Sequence, residues 1–234
     1  MTAGEGDAAL ETPGHGDEPL RAIVCDFGGV LTTPLVDAFA GVQAAAGIPP
    51  EALGRALAAI AAADGRHPLF ELETGRMTER AFMARIEQAL ADDLGHDVAM
   101  IDFGEMYFSH LHPNGELIDY MRARRREGYR TALCTNNVRE WEPRWRRMLP
   151  VDEIFEVVVD SAFVGVRKPD PEIYELTVAR LGVPAPECLF IDDFELNCAA
   201  ARELGMSAVQ FTGTGEALEA VSALLRDRGR PGPR

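Results

Sequence analysis

Lysine is almost absent from this chain. Of its 23 basic side chains 22 are arginine, and the one exception is Lys168. Any chemistry that requires a primary amine must use that residue. Positive charge is scarce overall: 38 acidic side chains give a formal net charge of −15 over 234 residues. A non-specific nucleic-acid binder needs the opposite sign, because it must neutralise phosphates. An anionic membrane surface would also repel this chain. A small anionic substrate is not excluded, since a local site can differ from the global field. Cysteine is sparse too. Cys25, Cys134, Cys188 and Cys198 form no C-x-x-C pair, which argues against a zinc site or a disulfide framework. No apolar run reaches the ~18 residues of a membrane span. Residues 1–19 hold no basic stretch followed by an apolar one, so they are not read as a signal peptide. A reducing cytoplasm is the expected compartment.

What the chain does contain is 47% hydrophobic and 26% charged residues, the composition of a globular domain or of a core with a modest insertion. Residues 1–19 carry five acids, four glycines and no Lys or Arg, and are expected to be a disordered tail. Residues 228–234 (RGRPGPR) are expected to fray in the same way. Between them, five short apolar runs read as buried parallel strands: Ala22–Asp26, Thr131–Thr135, Val157–Val159, Cys188–Asp193 and Ala208–Phe211. Helices fill the gaps. Asn114 can N-cap one with Leu117, Ile118 and Met121 inward, and Gly128, Gly182 and Gly205 read as helix stops. Strand–helix alternation predicts an α/β fold with a parallel sheet and right-handed crossovers. Residues 37–112 break the alternation and read as helices only: 37–46, 51–63, 78–92 and 98–109. Phe82, Ile86 and Leu90 mark the buried stripe of the third. The chain therefore divides into an α/β core (20–36 and 113–227) and an inserted helical cap (37–112).

In doubly wound sheets, ligands bind beyond the carboxyl ends of the strands. The residues there are Asp26, Thr135, Asp192 and Asp193, with Lys168 on a Pro-flanked loop. A strand-end Asp often serves only as a turn or cap residue, and a loop lysine is often a solvated charge. Three carboxylates, a hydroxyl and an ammonium gathered from distant segments nevertheless form an anion- and metal-binding set.

The segments IVCDFGGVLT, ALCTNN, GVRKPDPEIY and LFIDDFELNCAAARELG resemble, in chain order, the four motifs of the haloacid dehalogenase superfamily. The resemblance runs from Arg21 to about Arg226. It is nearest to the subgroup whose first motif reads DFGGV or DLGNV, which includes sugar-phosphate phosphatases and the phosphatase half of bifunctional epoxide hydrolases. It implies a Rossmann-like parallel sheet flanked by helices, with a small helical cap. It also implies a Mg²⁺-dependent phosphatase that acts on a small phosphorylated metabolite through a phospho-aspartate. Asp26 would then be the nucleophile. Mg²⁺ would be held by Asp26, the Gly28 carbonyl and Asp193, with Asp192 behind them. Gly28, Gly29, Thr135 and Asn136 would receive the phosphoryl group. Lys168 would offset charge on Asp26 and on the group in transfer. No partner beyond a small substrate is implied, and the oligomeric state is left open.

One position departs from the pattern. The family's phosphatases carry a second Asp two residues after the nucleophile, as general acid and then base, and here that residue is Gly28. Such help is worth about 10²–10⁴ in rate. Two readings keep the activity. In one, the substrate has a good leaving group, such as a sugar 1-phosphate, acyl phosphate or aryl phosphate. In the other, His67, Glu71 or Glu73 of the cap replaces the acid. A third reading is a weak or inactive relative that binds a phosphorylated metabolite or a protein partner. A metal-independent dehalogenase is disfavoured by the Asp192–Asp193 pair, and imine chemistry by a cap without lysine. Phe70 and Arg76 are placed to meet a substrate. Trp141 and Trp145 could wall a pocket or simply pack on a helix face. The arginines at 122, 124, 125 and 126 read as a solvated helix end, and His110 and His112 fall near the expected hinge of the cap.

Overall fold

The computed structural model describes residues 18–100 and 102–229. Five parallel strands form one sheet: β1 (Ala22–Cys25), β2 (Arg130–Thr135), β3 (Val157–Asp160), β4 (Cys188–Asp192) and β5 (Ser207–Gln210), in the order β3-β2-β1-β4-β5. β1 and β4 are buried along their whole length, as their unbroken apolar runs require. The sheet is a Rossmann-like α/β layer with helices on both faces. Alternate residues of β1 feed two cores. Ile23 and Cys25 pack into one, with Leu133 and Ile191. Ala22 and Val24 pack into the other, with Cys134 and Phe190. All four cysteines are buried and free.

After β1 the chain runs through α1 (Leu35–Ala45), α2 (Ala52–Asp64), α3 (Pro68–Glu73), α4 (Glu79–Leu94) and α5 (Phe103–Ser109). Phe82, Ile86 and Leu90 are the buried residues of α4, at the spacing of one helix face. Two expectations change here. The helix read from 98 to 109 begins only at Phe103. The stretch before it is held against α4 instead: the Met100 N–H donates to Glu87 Oε1 at 2.7 Å, and Met100 is buried. The segment left between the helices read at 51–63 and 78–92 forms α3 over Pro68–Glu73, where the His67 ring caps the Leu69 N–H and Pro68 occupies the first turn.

The remaining helices are α6 (Gly115–Arg126), α7 (Glu142–Met148), α8 (Val151–Ile154), α9 (Ser161–Val164), α10 (Pro171–Leu181), α11 (Glu195–Glu203) and α12 (Thr214–Asp227). The α6 arginines find local partners: Arg122 pairs with Asp119, Arg124 with Glu127, and Arg125 reaches the Asp152 carbonyl. Among the described residues no helix is long and apolar enough to cross a membrane. The acidic tail up to residue 17 and the end from residue 230 lie outside the described residues. Arg228 departs from the expected fraying, because its guanidinium donates to Ser207 Oγ and to the Glu18 and Pro186 carbonyls.

Asn114 ties the returning chain to the sheet. Its Oδ1 accepts from the Leu117 N–H at 3.3 Å, capping α6, while its Nδ2 donates to the Val30 carbonyl and to Thr214 Oγ1 at 3.0 Å each. Asn114→Ala removes a cap and two bridging bonds. It should lower unfolding free energy by about 1–3 kcal/mol in denaturant titration.

Candidate active site

Asp26 is the first residue beyond β1, the central strand, and its N–H donates to the Ile191 carbonyl at 2.9 Å. Cys25 is in register with Leu133 of β2 and Ile191 of β4. Asp26, Thr135, Asp192 and Asp193 therefore emerge on the same edge of the sheet. The chain adds strands on one side of β1 and then crosses to the other, which leaves a crevice at this edge.

Lys168 reaches into it. Its Nζ lies 2.6 Å from Asp26 Oδ1 and 2.6 Å from Asp192 Oδ2, and the side chain is only 1% exposed. The other Asp192 oxygen accepts from the Phe194 N–H and from Asn197 Nδ2, at 2.9 Å each. Both Asp192 oxygens are thus engaged by the protein. Burial alone would lower the Lys168 pKa, but Asp192 and Asp26 outweigh it and hold the ammonium well above the ordinary lysine value. The backbone around Lys168 is clamped: its N–H donates to Asn136 Oδ1 at 2.8 Å, and Asn136 Nδ2 donates to its carbonyl at 3.0 Å. The Asn136 side chain is therefore committed at both ends to the lysine loop, which differs from its expected place on the phosphoryl group. Thr135 is buried at the end of β2, with its hydroxyl 3.5 Å from the Asn136 carbonyl.

The carboxylates carry more negative charge than one lysine balances. Burial raises the Asp26 pKa to about 7; Lys168 opposes the rise, while Asp192 and Asp193 add to it. Burial and then Asp192 raise Asp193 to about 6. One oxygen of Asp193, Oδ1, is buried without a hydrogen-bond partner. Carboxylate oxygens of Asp26, Asp192 and Asp193 lie within 4.8 Å of one another. The backbone leaves room for this cluster. Gly29 has φ +75°, and a Cβ there would run into Asp193 Oδ2. An all-oxygen donor set with a buried, unpartnered carboxylate oxygen fits a hard divalent cation.

Above Asp26, the helices that follow β1 enclose a cavity of about 1270 Å³, with Asp26, Gly28, Asn136 and Lys168 in its wall. A Cβ on Gly28 would sit 2.8 Å from Leu35 Cδ1, so α1 fills the space where a side chain at 28 would project. His67, Glu71 and Glu73 all line the cavity, as do Phe70 and Arg76. Glu73 pairs with Arg167 at 2.7 Å. Burial raises its pKa, against the pull of Arg167. His67 is shifted down by burial and by Arg167. The two tryptophans part company. Trp141 lines the cavity, stacks on Tyr107 and donates to Glu79 Oε1 at 2.7 Å, whereas Trp145 is fully buried against Phe27. Sequence reasoning missed Arg167, whose place beside Lys168 was the available signal. It also missed Phe39 and Tyr107 as cavity residues, for which an apolar helix face gives no signal.

The chain matches the haloacid dehalogenase-like hydrolase family over residues 20–205. It belongs to that family. Among curated relatives of this hydrolase, mouse bifunctional epoxide hydrolase 2 is 25% identical over 85% of this chain and 38% of its own length. A glyceraldehyde 3-phosphate phosphatase of Pyrococcus abyssi is 37% identical over 36% of each chain. The haloacid dehalogenase-like chain thus spans less than two fifths of either relative. Its fold is shared with a solved enzyme of the same family from Bacteroides thetaiotaomicron, in complex with magnesium and inorganic phosphate. That likeness has a TM-score of 0.56 and 22% identity, covering 82% of this chain and 93% of the other.

Lys168→Met would leave Asp26 and Asp192 facing each other without a counter-charge. Breaking a buried pair of this kind costs about 3–5 kcal/mol. Thermal unfolding at pH 8 should show a loss of that order. Lys168→Met/Asp192→Asn should recover part of it.

Proposed function

We propose that this hydrolase is a Mg²⁺-dependent phosphatase that transfers the phosphoryl group of a phosphate monoester to Asp26 and then to water. The observation that carries this reading is the buried pairing of Asp26 with Lys168 on the floor of the cavity, beside the unpartnered Asp193 oxygen. Asp26, the Gly28 carbonyl and Asp193 would hold Mg²⁺, with Asp192 behind them. The ion, when bound, supplies positive charge that eases the approach of a carboxylate to a phosphate. The named phosphatase among the relatives, and the neighbour holding magnesium and phosphate, support the same chemistry.

Asp26 needs no base, because its ionised oxygen is itself the nucleophile. In the first half-reaction that oxygen forms a bond to phosphorus, and the bond from phosphorus to the leaving oxygen breaks. The alcohol departs as its anion or takes a proton from solvent. In the second, water attacks phosphorus, the bond to Asp26 breaks, and inorganic phosphate leaves with the carboxylate restored. Lys168 keeps its ammonium against Asp26 throughout and offsets charge on the transferring oxygens. Asn136 holds the Lys168 backbone in place, and Asp192 holds its Nζ. Thr135 and the backbone at Gly28 and Gly29 would cradle the phosphoryl oxygens. Glycine at 28 offers the leaving oxygen no proton, and Leu35 occupies the space beside it. The reading therefore favours leaving groups that depart unprotonated. A second reading, in which Glu73 supplies the proton, is favoured by its burial in the cavity wall and its raised pKa, and opposed by its pairing with Arg167.

A series of aryl phosphates distinguishes the two. Without an internal acid, kcat/KM should fall steeply as the leaving-group pKa rises. A flat series that turns steep in Glu73→Gln would assign the proton to Glu73. Asp26→Asn should abolish turnover on every substrate, and turnover that survived it would sink the phospho-aspartate route.

Mg²⁺ binding should release protons near pH 6.5, because Asp26 and Asp193, with pKa values of about 7 and about 6, are part-protonated there. Apparent affinity should rise from pH 5.5 to pH 8. Asp193→Asn should weaken binding by at least about 10-fold. Calorimetric titration in two buffers of different ionisation enthalpy measures both.

A further inference from the structure

The cavity above Asp26 is far larger than a phosphate group needs, and its chemistry is lopsided. Its inner wall is built from Leu53, Leu57, Met83, Phe103 and Phe108 on the helices that follow β1, and from Met100 in the stretch before α5. The charged residues in the wall are mostly committed to one another. Glu73 pairs with Arg167, and Glu71 is paired with both Arg66 and Arg76. The His67 ring caps α3. Even the Arg167 guanidinium sits over the Phe70 ring, its Cζ 4.0 Å from the centroid. A sugar or triose body would bury hydroxyls here with few free partners, which is unfavourable.

A second, independent observation lies at the mouth. Among the described residues, five large apolar side chains are exposed, and four of them line this cavity: Val36, Phe70, Phe194 and Leu196, between 44% and 69% exposed. They come from three separate segments: Val36 in α1, Phe70 in α3, and Phe194 and Leu196 after β4. Scattered exposed apolar side chains need no explanation, but a group converging on one opening marks a binding surface.

We infer that the substrate is a phosphate monoester whose leaving group is a predominantly hydrocarbon-substituted phenol or similar low-pKa hydroxyl, the hydrocarbon body filling this cavity while the phosphate meets Asp26 and Lys168. The inference rests on the phosphoryl-transfer reading of Asp26 and adds the class of the leaving group to it. Of the sugar 1-phosphate, acyl phosphate and aryl phosphate read from the sequence as good leaving groups, it favours the last. The cavity wall selects by burying carbon, so discrimination grows with the length of the hydrocarbon until the space is full.

The test holds the chemistry fixed and varies only carbon. Phenyl phosphate and its p-methyl, p-propyl, p-pentyl and p-heptyl derivatives have nearly equal leaving-group pKa values. With Mg²⁺ present, kcat/KM should rise by up to about fourfold for each methylene buried and then level off. Butyl-, hexyl-, octyl- and decylphosphonate, whose carbon–phosphorus bond this chemistry does not cleave, provide a readout that needs no turnover. Their calorimetric binding should tighten along the series. Turnover that is flat or falls with length, with binding equally indifferent, overturns the hydrocarbon inference and leaves the phosphatase reading intact. Absent turnover with binding that tightens along the phosphonates removes the phosphatase reading and upholds the hydrocarbon pocket. Glyceraldehyde 3-phosphate turned over faster than the heptyl derivative would also overturn the inference.

Discussion

The site depends on one buried ammonium. Lys168 brings a loop, the end of the central strand and the end of β4 to a single point, because its Nζ is within 2.6 Å of both Asp26 and Asp192. Such an arrangement survives desolvation only when each charge finds partners of good geometry. Asn136 holds the lysine backbone, while Phe194 and Asn197 satisfy the second oxygen of Asp192. The residual imbalance falls on Asp26 and Asp193, which are left with raised pKa values and an unpartnered oxygen. Carboxylates in that state are stabilised by a further positive charge brought close to them.

The helices that follow β1 are fastened to the sheet close to this point. Ser161 Oγ donates to the Glu73 carbonyl at 2.6 Å and accepts from the Asn137 N–H at 3.0 Å. Gly75 packs so closely on the Ala162 carbonyl that a Cβ would not fit. Glu73 and Arg167 make the third link, one residue from Lys168. The segment that builds the cavity roof is therefore tied to the same loop that carries the ammonium. A ligand that bridges floor and roof would bear on both.

Much of the fold was legible locally. The five strands stand within a residue or two of the apolar runs, because a buried parallel strand announces itself by an unbroken run of small and branched side chains. Helix α6 follows its N-cap and its inward residues Leu117, Ile118 and Met121. Helix α10 stops at Gly182 in the left-handed conformation. The failures have physical causes. α3 is short and is set by a His–Pro cap rather than by periodicity. The stretch before α5 is held by the Glu87 side chain thirteen residues away, a contact that no local pattern reports.

By itself, the sequence determined the family motifs, the strand ends that carry Asp26, Thr135, Asp192 and Asp193, and the singularity of Lys168. These are properties of residue type and spacing, and they persist whatever the helices do. Only the tertiary structure decided that Lys168 is buried between two aspartates, that Asn136 serves the lysine loop, and that Leu35 fills the space beside Gly28. It also decided the character of the cavity. An apolar residue on a helix reads the same whether it faces a packed core or an open space, so Phe39, Leu57 and Phe103 declared their place only once the helices were set against the sheet.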